Sequence, residues 1–196
     1  MRITRSVEAV EQPIQLAELK TYLCLQDLAE HENEYLLSLV QLASRAVEDM
    51  SGCTLLDTVF CLEVADWQST YVLPDGNFRE IQSVEYQDAQ GVSCELGREC
   101  FYLSTNAAGR LQLVLTPSFS RPALHPEIRS IRIAMVAGYS RYAVDLPESF
   151  VNAIRILVAD LYRQRVVVQS ELRASIDAIT PLTARALCQC WKHVQR

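Results

Sequence analysis

The spacing of apolar residues changes twice along this chain, and that change limits what it can fold into. Toward both ends, apolar side chains recur every three or four positions; from 55 to 137 they recur every second position. The first spacing lines one face of a helix and the second one face of a strand. The expectation is an α+β protein forming a single domain over residues 1–196. A helical, bundle-like body comes from residues 12–54 and 146–196, with two N-terminal helices and one long and one short C-terminal helix. A central antiparallel β-sheet or small sandwich is inserted at 55–139. With 49% apolar residues, 6 Gly and 7 Pro, the chain is neither fibrous nor low-complexity. Its 196 residues can bury a sizeable core without disulfide staples.

Local signals set the elements. Leu16, Leu19 and Leu23 predict a helix over 16–25, with Pro13 just outside its start. Leu36, Leu39, Ala43, Val47 and Met50 form the stripe of a second helix over 32–50. Glu32 and Glu34 suit the positive end of its dipole, and Ser51-Gly52 stops it. Six or seven short strands follow. Pro74-Asp-Gly76, Asp88-Ala-Gln-Gly91 and Asn106-Ala-Ala-Gly109 are the turns between them. Residues 117–126 hold three prolines without periodicity and predict a long exposed loop, whose Phe119, Arg121 and His125 are candidate partner contacts. Helix returns over 147–166 on a stripe of Ile154, Leu157, Val158, Leu161 and Tyr162, weakened at Val166-Val-Val168. A short last helix starts at Thr180-Pro181, with an apolar side of Leu187, Trp191 and Val194 and a basic side of Arg185, Lys192 and Arg196.

The net charge is −6. Residues 1–66 carry −8, 67–145 carry −1 and 146–196 carry +3. An acidic front and a basic tail can attract each other between copies. Net acidity disfavours a general nucleic-acid binder. No apolar run approaches the ~20 residues of a membrane span, and no apolar stretch of the signal-peptide kind occurs near the start. A soluble cytoplasmic product with no membrane partner is the expectation. The seven cysteines form no CxxC pair, so reduced, mostly buried thiols are expected.

Catalytic patterns are absent from the sequence. His31, His125 and His193 fall in separate regions, and there is no phosphate loop, GxSxG or HExxH. Glu48 and Asp49 are adjacent on a helix and face different directions. No catalytic residue, metal site or cofactor is expected. The terminal helix is short enough to require a docking surface, either on its own domain or on another protein. Leu182, Arg185, Leu187, Trp191 and Lys192 are the candidate interface residues, with Trp191 the anchor.

Four strings carry a family likeness: Gln12-Pro-Ile-Gln-Leu-Ala-Glu-Leu-Lys20; Glu34 to Gly52; Ser83-Val-Glu-Tyr-Gln-Asp-Ala-Gln-Gly91; and Ile133-Ala-Met-Val-Ala-Gly-Tyr139, followed by Leu146-Pro-Glu148 and Ala153 to Arg165. In order and spacing the chain resembles the head–tail connector (adaptor or head-completion) proteins of long-tailed phages and phage-like gene transfer agents. The likeness spans about residues 12–168. Gln15 stands where the family often has a Thr cap, the 117–126 loop is longer than usual, and the tail from 169 matches least.

The resemblance implies a structural virion protein made in the bacterial host cytoplasm. It would sit at the virion neck as a ring, dodecameric in the particle, between portal and tail. Such a ring completes the head and extends a channel through which DNA passes without specific binding. Its implied partners are itself, the portal protein and a head-closure or tail-completion protein. Another neck or tail-completion protein, or a cysteine-dependent enzyme, are the alternatives.

Overall fold

In a computed structural model, backbone is described for residues 2–7, 11–25, 30–73, 77–107, 110–126, 130–164 and 182–192, with side chains excepted at 31, 164 and 190–192. The Pro74–Gly76 turn, Val166–Val168, Thr180-Pro181 and His193 lie outside this set. Two compact units divide the chain: Met1–Glu8 with Asp57–Gly138, and Ala9–Leu56 with Tyr139–Arg196.

The first unit is all β. Its large sheet runs β1 (Arg2–Val7), β2 (Thr58–Val64), β8 (Ile131–Ala137), β4 (Phe78–Gln87), β5 (Ser93–Glu95). Its small sheet runs β3 (Thr70–Val72), β7 (Leu111–Leu115), β6 (Phe101–Thr105). All pairings are antiparallel. One core joins the sheets: Leu62, Ile131, Ile133 and Met135 from the large one, Tyr71 and Leu113 from the small. The alternation expected of residues 131–134 holds, with Ile131 and Ile133 buried and Arg132 exposed. The expected β4–β5 hairpin forms because Asp88 Oδ1 accepts the Gln90 and Val92 N–H groups at 2.9 Å each and Gly91 takes φ +80°.

One strand overturns the expected layout of helices first, strands second. Residues 2–7 form β1, an edge strand whose Arg, Thr and Ser leave it no apolar alternation; its place comes from pairing with β2.

The second unit is helical: α1 (Leu16–Leu23), α2 (His31–Ser51), α3 (Glu148–Gln164) and α4 (Leu182–Lys192). Leu19, Val40, Ala43, Val47, Phe150, Ile154 and Val158 form its core. Gly52 caps α2 at φ +73°, its N–H donating to Glu48 O at 2.8 Å. The Glu48 carboxylate then accepts Leu55 N–H at 2.9 Å and fixes the exit from the helix. α1 ends earlier than expected because Cys24 takes the left-handed conformation (φ 58°), and its Gln15 cap makes no side-chain bond.

Gly138 explains one glycine of the family-like strings. A Cβ there would lie 2.6–2.8 Å from Oδ1, N and Cα of Asp57, whose carboxylate is paired with Arg79. The backbone cannot yield as a side-chain tip can. Gly138→Ala is therefore expected to cost about 1–3 kcal/mol, read as a lower melting temperature; an unchanged melt would show that the approach relaxes freely.

Candidate assembly surfaces

The terminal helix α4 is docked on its own unit. Ala184 and Cys188 are fully buried against the helical core, and Leu187 packs beside them. Of the two docking surfaces open to it, its own unit supplies one: α2 and α3 cover its inner side. Residues 184, 187 and 188 are three and four apart, one helical stripe. Small side chains form its centre, letting the helix lie close, and they escaped a search for large apolar residues. Leu182 is 84% exposed, while Arg185 is half-buried and has a polar or electrostatic partner. The side chains of Trp191 and Lys192 lie outside the described set.

The 117–126 loop is strapped to the β unit rather than freely exposed. Trp67 sits edge-on to both Tyr86 (centroids 5.3 Å) and Phe119 (5.2 Å), and its Nε1 donates to Pro122 O at 2.8 Å. Arg121 Nη2 donates to Ser69 Oγ at 2.8 Å, and the His125 N–H to Gln87 O at 3.2 Å. Phe119 and His125 are half-buried, so Arg121 is the most outward of the three loop candidates. Trp67, which the sequence reading passed over, organises the strap.

Charge is also distributed otherwise than the linear sequence suggested. The acidic front and basic tail fold mostly into the same unit, so part of their attraction is spent inside one chain. Arg155 of α3 pairs with Glu18 of α1, donates from Nη1 to Asn152 Oδ1 at 2.9 Å, and lies 5.9 Å from the Tyr22 ring centroid. Arg155 and Glu18 line an open groove of about 390 Å³, together with Glu11 and Glu148. Across the two units the net charge is equal, −3 each.

The described cysteines differ in burial. Cys53 and Cys188 are buried, Cys24 is exposed, and Cys61, Cys94 and Cys100 are intermediate, so fewer are buried than expected. Burial, followed by the Glu63 charge, pushes the Cys61 thiol up, away from the thiolate a nucleophile needs. Among the described residues no three His, Cys, Asp or Glu side chains gather as a metal site, and no helix is long and apolar enough to cross a membrane.

Neither a protein-family model nor a curated protein matches the chain. Solved structures do. A chain from the virion of a native gene transfer agent particle aligns with TM-score 0.73 at 20% identity, covering 98% of this chain and 95% of that one. A chain from the neck of an empty particle computed with C6 symmetry gives 0.71 at 20% with the same coverage. A chain from the neck of a native particle computed with C12 symmetry gives 0.70 at 19%, again with that coverage. Over 98% of its length, the chain aligns with the fold of these gene transfer agent particle components.

Proposed function

We propose that this chain is a structural neck protein of a phage-like particle. Copies assemble as a ring, twelve in the particle, between portal and tail. The ring completes the head and extends the DNA channel; it meets the portal on one side and a head-closure or tail-completion protein on the other. Its role is shape-matching, not catalysis, and it belongs at the head–tail junction. The observation that carries this reading is the fold shared over 98% of the chain with gene transfer agent neck chains. The acidic balance supports it physically, since a channel that passes DNA should not grip phosphate.

The portal contact is assigned to α4, led by exposed Leu182, with Arg185, Leu187, Trp191 and Lys192 as the other candidates on that helix. Deleting the gene and imaging the particles tests the function. DNA-filled heads without tails are expected; normally tailed particles would overturn it.

A further inference from the structure

The register of the large sheet lines up five charged residues in one row across one face. Arg2 on β1 stands opposite Glu63 on β2, Glu63 opposite Arg132 on β8, Arg132 opposite Glu85 on β4, and Glu85 opposite Glu95 on β5. Arg132 Nε lies 4.0 Å from Glu63 Oε1. Reading from β1, the signs are plus, minus, plus, minus, minus. Opposite charges in facing positions stabilise a sheet, and like charges do the reverse. The row is therefore satisfied until its last step, where two carboxylates face each other at the β5 edge. At the β1 edge it ends on Arg2, beyond which no described strand lies.

The β1 edge also leaves apolar surface uncovered. The neighbouring core row runs Ile3, Leu62, Ile133, Val84; the last three are at most 1% exposed, but Ile3 is 42% exposed. Within the described residues neither β1 nor β5 has a strand on its outer side. Because each neighbouring pair in the sheet is antiparallel, β1 and β5 run in the same direction. A second copy, related by a modest rotation, presents its β1 parallel to β5 of the first.

We propose that the β1 edge of one copy seats against the β5 edge of the next, with Arg2 facing Glu95 so that the charge row continues across the boundary. The occupant of each edge is a second copy of this chain. The contact joins two different surfaces, so it propagates head to tail and closes when the rotation closes. This deepens the ring reading above and rests on it.

Complementing the gene deletion with variants of the full chain tests it, with tailed particles counted by electron microscopy. Arg2→Glu and Glu95→Arg are each expected to lower the yield about tenfold or more, since each sets like charges against one another at the joint. The Arg2→Glu/Glu95→Arg double variant restores opposite charges and is expected to return to within about threefold of wild type. Rescue by the double variant excludes misfolding as the cause of the single defects. Full tailing with both single variants, or no recovery in the double, overturns the edge contact while wild-type complementation leaves the neck role standing. A deletion that leaves tailing unaffected overturns both.

Discussion

Truncating Phe150 to Ala is expected to destabilise the helical unit by about 3–5 kcal/mol, the cost of removing a fully buried aromatic side chain. Phe150 is the largest of the fully buried side chains among the described residues. It lies in the first turn of α3, where its own N–H bonds Pro147 O at 2.9 Å, and its ring meets Tyr139 edge-on at 6.0 Å and 76°. The first turn of α3 is thus held by its backbone start and by the packing of Phe150 in the helical core. Deleting the ring opens a cavity beside Tyr139, whose backbone is pinned and cannot move in to fill it. Tyr139 N–H donates to Thr54 O at 2.9 Å and Leu55 O at 3.0 Å. The measurement is the urea midpoint of the unfolding of this unit, which should fall with little change in slope. Val144→Ala in the same unit, at a side chain 87% exposed, is expected to stay within about 0.5 kcal/mol of wild type. Equal midpoints for the two variants would refute the packing argument.

Elements that carry their own local pattern were legible in the sequence. The helical stripe from Leu36 to Met50 with Gly52 beyond it produced α2 within a residue at either end, because periodicity and cap agree. The Asp88–Gly91 turn was likewise readable, since Asp and Gly have specific bonding and φ requirements there. Elements defined by partners far along the chain were not. β1 earns its place from β2, more than fifty residues away, and presents mostly half-buried or exposed side chains, so alternation says little. The loop after Thr116 was read as exposed from its prolines, yet Trp67 and Phe119 close it by a contact that local spacing cannot encode. Linear charge misled in a similar way: Glu18 and Arg155 belong to segments of opposite sign, and the fold pairs them within one chain. The five-residue charge row is the extreme case, because each member comes from a different strand and exists as a row only once the register is set.

The candidate interface on α4 was half legible for a related reason. Large residues drew attention to its length, but its inner face is made of Ala184 and Cys188, and small side chains give no strong apolar signal. The same small contact makes the second large prediction. Ala184→Glu would put an unpaired carboxylate at a site with no solvent access, facing the core shared with α2 and α3. A buried charge without a partner costs far more than a short helix gains by docking, so the helix should leave its seat instead of burying the charge. The loss is then capped at the docking energy of α4; a docking energy of about 3 kcal/mol at this chain length lowers the melting temperature by roughly 6–12 °C. Amide exchange should become fast through α4 and rise in the parts of α2 and α3 it covers, while the β unit stays protected. Under the proposed neck role, this variant should also lose co-assembly with the portal, because Leu182 and its neighbours would no longer be held as a rigid surface. Leu182→Ala separates the two effects: truncated at a side chain 84% exposed, it should weaken co-assembly and leave exchange in α2 and α3 near wild type. If Ala184→Glu melts like wild type, α4 is not seated by these residues; if it unseats the helix yet co-assembly persists, the portal contact lies elsewhere on the molecule.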